Sequence, residues 1–253
     1  MTEPFVSLEG ISQHVATVQL RRPPNNFFSF DMISALADAL EELDRNDECR
    51  CVVLTAEGKN FCAGADFSGN ASPYSTADLY NAATRLFCTN KPFVAAVNGA
   101  AIGGGLGLAL SADFRVASPE SKFSANFAQL GFHHGFGLTV TLPRLVGEQK
   151  ASELLYTGRR VNGTEAYELG LIDRVVPTSE IESAAFTLAA EIASSAPLAV
   201  ESIRATLRKG IAEKVAQATQ HEMAEQTRLK ATADFAEGTK AVSQRRPAEF
   251  QRK

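Results

Sequence analysis

The chain has 253 residues, 45% hydrophobic and 21% charged, the balance of a protein with enough apolar material to bury a full core. A formal net charge of −4 gives no electrostatic reason to expect nucleic acid or an anionic membrane surface as partner. No apolar run approaches the roughly 18 residues of a membrane span, and the opening stretch MTEPFVSLEG has neither the basic nor the apolar region of a secretion signal.

HVATVQL (His14–Leu20) reads as a strand, and the segment after Ser29 carries Met32, Ile33, Leu36, Leu40 and Leu43 at helical spacing. CVVLTAEG, from Cys51, is a second strand closed by a turn. FVAAVNG, from Phe93, is a third, and FRVASPES, from Phe114, a very short fourth. This alternation argues an α/β protein with mainly parallel pairing. It is not a regular doubly wound sheet, because several strands arrive with only turns between them. Beyond Pro143 only LIDRVVP (Leu171–Pro177) keeps a strand signal. The rest reads as helices, with Gly158 and Gly170 as stops, Pro197 as a start and a long segment from Glu213 to Ala233. The expected division is a core of residues 1–195 and a helical region of residues 196–253, within one domain, that packs on a neighbouring element or subunit.

Cys49, Cys51, Cys62 and Cys88 fit no zinc spacing and no Cys-x-x-Cys pattern. They read as thiols of a reducing compartment, so a cytoplasmic location is expected, and no metal.

GAAIGGGLGLALSADF (Gly99–Phe114) brings bare backbone into the start of a helix. A phosphate loop would need Gly-Lys-Ser/Thr, but Gly105 is followed by Leu106 and Gly107. A dinucleotide fingerprint matches only in part, about a hundred residues too late in the chain, with no acid placed for a ribose. Two readings remain: close helix–sheet packing, or an oxyanion hole made of unpaired N–H groups at a helix start. GKNFCAGADF (Gly58–Phe67) places a second small-residue turn after a strand, so two turns can each offer one N–H to one oxygen.

FCAGADF and KPFVAAVNGAAIGGGLGLALSADFRVAS, together with LPRLVG, LLYTGRRVNGTEAYELGLIDRVVP and FAEGTKAVSQRRPAEF, resemble the enoyl-CoA hydratase/isomerase (crotonase) superfamily over nearly the whole chain. The resemblance implies a crotonase-like spiral of ββα units and a helical C-terminal trimerisation region, assembled as a trimer or a dimer of trimers. It also implies an acyl-CoA thioester substrate, with coenzyme A belonging to the substrate and no separate cofactor. The thioester oxygen would sit between the N–H groups of Ala65 and Gly104, which hold an enolate. Ala63 and Asp66 would lie along the coenzyme A, Asp66 in a mostly structural position, and Arg245 would contact it from a neighbouring subunit.

The chain departs from the hydratase pattern where that pattern has two glutamates. Gly107 and Phe127 stand at those positions, with Asn126 in place of a proline. In the loop LGFHHGFG, a gapless count puts His134 where a decarboxylase relative has a tyrosine. Gly135 falls where dehalogenase and dienoyl-isomerase relatives have an aspartate. A histidine moves protons near neutral pH without tuning, so His134, then His133, is the expected acid/base. Asn126 would hold a polar substrate end or a water, Phe127 would make the pocket apolar, and Tyr74 would face the acyl group from the variable segment Ser68–Phe87. Tyr80 and Arg85 either face the substrate too or lie outside a helix. The expected activity is a non-standard lyase, decarboxylase, isomerase or hydrolase acting through a thioester enolate. The alternatives are a hydratase with atypical residues, or a CoA-ester-binding protein without turnover.

Overall fold

The computed structural model describes residues 5–66 and 73–253. It begins with an antiparallel hairpin of β1 (Val6–Ser12) and β2 (Val15–Leu20), with a bulge between Leu8 and Gly10. β1 has no counterpart in the sequence reading: it is an edge strand whose Leu8 and Ile11 are exposed, so it lacks the apolar alternation of a half-buried strand. Helix α1 (Phe30–Asp44) starts where the Ser29 hydroxyl accepts the Met32 N–H, and it buries the predicted apolar stripe.

Three stacked units follow. β3 (Cys51–Ala56) leads to Cys62, which bridges Ala101, and then to α2 (Thr76–Arg85), opened by a Ser75/Asp78 capping box. β4 (Phe93–Val97) leads to β5 (Ala100–Ile102) and α3 (Gly104–Ser111). β6 (Phe114–Ala117) leads to β7 (Lys122–Ser124), a single turn at Ala128–Leu130, and α4 (Leu138–Thr157). Each unit sends one strand into a large sheet and one short strand or bridge into a small one, then closes with a helix. This is the spiral of ββα units expected. The units after it are β8 (Val161–Asn162), α5 (Gly163–Glu168), β9 (Arg174–Val175), α6 (Ile181–Ala193), α7 (Pro197–Leu207), α8 (Ile211–Lys230) and α9 (Ala233–Ser243).

The large sheet has the order β1-β2-β3-β4-β6-β9, parallel except at β1–β2. The small one has the order β5-β7-β8. β3 and β4 are buried along their whole length, which is why they read as continuous apolar runs. One face packs on α1 and α3. The other takes the small-residue stripe Ile181, Ala185, Ala189 and Ala193 of α6. Asp113 ties α7 to this body, accepting from Arg204 Nε at 2.9 Å and Arg208 Nη1 at 3.0 Å.

Three boundaries differ from the sequence reading. The helix that stops at Gly158 begins as early as Leu138, with Pro143 inside it and Gly147 (φ 78°, ψ 159°) breaking it into two helical pieces. The strand signal of LIDRVVP shrinks to two residues. The long terminal helix stops at Lys230, and Thr232 caps a separate α9. α8 lies on α2 and α4. No single described helix is long and apolar enough to cross a membrane.

Candidate functional site

The turns after β3 and β4 lie side by side because the second sheet zips them together. Phe61 N–H donates to Asn98 O (2.8 Å), Cys62 N–H to Ala100 O (3.0 Å) and Ile102 N–H to Cys62 O (3.0 Å). Beyond this zipper both chains fan out with positive φ, at Gly64 (91°) and Gly103 (58°). Ala63 N–H donates to Asn25 O and Gly64 O accepts from Phe28, which pins the first turn. Gly103 N–H donates to Ser124 O, which pins the second. Neither the Ala65 N–H nor the Gly104 N–H has an acceptor among the described residues. Gly104 is the first residue of α3, where N–H groups are left unpaired and the helix dipole favours negative charge. Packing also requires bare backbone here: a Cβ at Gly105 would collide with the Cys62 carbonyl, and one at Gly104 with the Phe28 ring.

Ala65 and Gly104 share the wall of a cavity of about 820 Å³ with Ala63, Phe28, Leu79, Tyr80 and Asn126. Its lining is also aromatic, with Phe127, Phe132 and Phe136; Phe127 packs at a tilt against Phe132 at 5.4 Å between centroids, and Phe132 edge-on against Phe235 at 5.2 Å. Position 107 is closed to any side chain, since a Cβ there would stand 2.6 Å from the Phe136 Cβ. Among the described residues lining the cavity the one carboxylate is Glu120, exposed in the turn before β7 and accepting from the Thr178 hydroxyl at 3.1 Å. Lys59, Lys122 and Arg160 are exposed on the same wall, and Lys230 lies over the Phe132 ring. None of these four cations has a carboxylate within ion-pair distance among the described residues, so the cavity suits an anionic ligand. The described residues bring together no cluster of His, Cys, Asp and Glu able to hold a metal ion.

Neither His133 nor His134 lines the cavity. The buried Glu222 of α8 holds the loop before α4, accepting from Gly137 N–H (2.9 Å), Thr139 N–H (3.1 Å) and the Thr139 hydroxyl (2.6 Å). His134 Nε2 stands 2.8 Å from that hydroxyl. Because the Thr139 proton goes to Glu222, Nε2–H donates to Thr139, so this ring nitrogen is committed to structure. Burial and the imidazoles of His133 and His221 push His134 down to about 4, so it is neutral at neutral pH. His133 turns its Nδ1 to the His134 carbonyl (2.8 Å) and stacks on the His134 ring at 4.1 Å. The loop HHGF borders the cavity through Gly135 and Phe136, while its two imidazoles do not line it.

Of the other predicted residues, Ala63, Asn126 and Phe127 line the cavity and Asp66 and Tyr74 do not; Tyr74 packs on Phe30 with centroids 4.0 Å apart. Most of the segment joining Asp66 to Tyr74 lies outside the described residues. Arg245 is exposed and does not itself line the cavity, though its N–H donates to the carbonyl of the lining residue Val242 at 3.1 Å, while its neighbour Arg246 grips Glu237 in a two-point ion pair that secures the following segment. Cys62 is buried and its thiol is pushed up to about 12 by burial, so it is inert beside the turns.

The sequence reading missed Gln226 and gave Tyr80 no clear side. Both line the cavity. A signal was present: Ile211, Val215, Thr219, Glu222 and Gln226 form the buried stripe of α8, and its second half is polar. Buried polar residues at helical spacing need partners, and here Glu222 and Gln226 find them on the loop before α4 and its first residues.

A family profile described as enoyl-CoA hydratase/isomerase matches residues 10–253. The chain is 33% identical to the crotonyl-CoA hydratase of Syntrophomonas wolfei, over 94% of this chain and 95% of that protein. It is 36% identical to the short-chain-enoyl-CoA hydratase of Clostridium acetobutylicum, over 78% of each. The crystal structure of an enoyl-CoA hydratase/isomerase from Pseudoalteromonas atlantica superposes with a TM-score of 0.88 at 29% identity, covering 98% of this chain and 100% of the other.

Proposed function

Since the chain belongs to the enoyl-CoA hydratase/isomerase family, we propose that it binds an acyl-CoA thioester with its carbonyl oxygen between the N–H groups of Ala65 and Gly104. The observation that carries this reading is the pair of unpaired N–H groups on two zipped turns at one cavity wall. When a bond to the α-carbon breaks and its electron pair stays behind, the charge moves onto the thioester oxygen. Two preorganised donors then hold it, each worth about 10²–10³ in rate. The unpaired cations Lys59, Lys122 and Arg160 match the phosphates of coenzyme A.

The reaction is one that runs without the hydratase carboxylate pair. Phe136 fills the space beside Gly107, and Phe127 is buried in an aromatic stack. This favours decarboxylation, C–C cleavage, isomerisation or thioester hydrolysis over hydration. The exposed Leu198, Ile203 and Leu207 on α7 support assembly with further copies of the chain, as a homotrimer or a dimer of trimers, which light scattering tests.

Crotonyl-CoA hydration, followed as loss of the conjugated thioester absorbance, tests the reaction class. General acid–base groups supply about 10²–10⁴ in rate, so hydration should run at least about 10²-fold below that of a hydratase with both carboxylates. Turnover near that of such a hydratase overturns the departure. Slow hydration with measurable binding of CoA esters supports it and directs assays to β-carboxy and β-keto thioesters.

A further inference from the structure

Tyr80, on α2, is 7% exposed and borders the cavity. Its phenolic oxygen stands beside the Gln226 amide next to Gly135, and Gln226 Nε2 donates to the His133 carbonyl at 3.1 Å. The phenol's own proton finds no acceptor among the described residues. A buried hydroxyl without an acceptor is unfavourable, so the arrangement points the proton at the cavity.

Three further observations agree. The Tyr80 hydroxyl and Gln226 Nε2 stand in the space that a Cβ on Gly135 would enter, with Nε2 2.6 Å away. A polar function is thus delivered beside that backbone position by two other helices. Phe136 takes φ 61°, a left-handed conformation costly for a bulky residue, at the point where its loop borders the cavity. The Cβ of the same Phe136 rests on Gly107, one turn of α3 beyond Gly104. Tyr80, Ala65 and Gly104 all line this cavity, so a ligand held at the proposed thioester oxygen shares the space that Tyr80 borders. Burial and the Glu222 carboxylate push the Tyr80 phenol well above its ordinary value, so it stays a neutral donor at working pH.

We propose that Tyr80 is the hydrogen-bond donor to the acyl chain, and that the substrate class is acyl-CoA thioesters carrying a hydroxyl or carbonyl oxygen on that chain. The inference rests on the acyl-CoA reading above. The neighbouring walls, Leu79, Leu130 and Phe132, are apolar, so this donor decides between oxygenated and hydrocarbon chains. A site built to pair such a group rejects the analogue that leaves it unpaired.

The test is calorimetric binding of butyryl-CoA, 3-hydroxybutyryl-CoA and acetoacetyl-CoA to the purified protein and to Tyr80→Phe. The wild type should bind at least one oxygenated ester about tenfold or more tighter than butyryl-CoA, and Tyr80→Phe should bring that ratio to within about twofold of one. Binding of all three with equal affinity by the wild type, or a preference that persists in Tyr80→Phe, overturns the proposal while leaving the acyl-CoA reading standing. Absence of binding by all three overturns both. Should Tyr80→Phe not fold, 3-fluorotyrosine labelling of the wild type replaces it, since Tyr74, Tyr156 and Tyr167 are exposed and Tyr80 is buried. Its buried fluorine signal should move to one position with an oxygenated ester and to another with butyryl-CoA. A common position overturns the proposal.

Discussion

The wall formed by the turns after β3 and β4 and the wall formed by the loop before α4 face one cavity, yet they are held differently. The first is backbone throughout. Its donors are main-chain N–H groups, its zipper is main-chain hydrogen bonds, and its glycines let one turn touch the next. The second is made by side chains from distant segments: Tyr80 of α2, Phe136 of the loop, and Glu222 and Gln226 of α8. In the proposed reading, the first wall fixes where charge is held and the second decides what the rest of a ligand must look like.

The comparison breaks most sharply at Ala65. Ala65→Pro deletes a donor N–H, while the bonds of Ala63 and Gly64 that pin the turn remain. Turnover of whichever thioester the protein consumes should fall by about 10²–10³ with the circular-dichroism spectrum unchanged. Activity within a few-fold of wild type would mean that the backbone wall holds no developing charge.

Glu222→Leu attacks the other wall. It strands two N–H groups and a hydroxyl in the interior, and should cost about 3–5 kcal/mol. The melting temperature should drop on the order of 10 °C. An unchanged melting temperature would mean that α8 does not hold the loop.

Gly107→Glu returns an acid to the hydratase position but meets Phe136. Overpacking should cost about 1–3 kcal/mol by denaturant titration, with no gain in crotonyl-CoA hydration. A gain in hydration would show that the second wall yields to the first.

The smallest effect is confined to acid. His134 is held neutral in the folded state, near 4, against an ordinary 6.5, so the unfolded chain binds the extra proton first. Its contribution is complete above pH 6.5 and is lost as pH falls from there towards 4. Melting temperatures at pH 7 and pH 5 should show a smaller drop in His134→Asn than in the wild type. An equal drop would place the titration elsewhere.

These two kinds of wall also explain what could be read in advance. β2, β3, β4 and β6 were legible because a buried strand is a local apolar run, and the backbone turns because a glycine after such a run has few other uses. The small sheet was not, since strands of two or three residues carry no periodicity. The side on which His134 lies depends on Glu222, eighty-eight positions away by number and in contact only after folding. Tyr80 and Gln226 meet through Gly135, a residue without a side chain to announce the meeting.

Gln226 and Lys230 of α8 and Thr239, Val242 and Ser243 of α9 are among the residues that close the cavity, and they are the last described helices to be synthesised. A ribosome adding roughly 5–20 residues per second leaves an interval of seconds in which the spiral has formed but this wall has not. During that interval Phe127, Phe132 and Phe136 lie open to water on a nascent chain. Newly made protein therefore passes through a sticky stage that the finished molecule conceals, and crowding at that stage, rather than weakness of the native fold, would govern how much of it escapes aggregation.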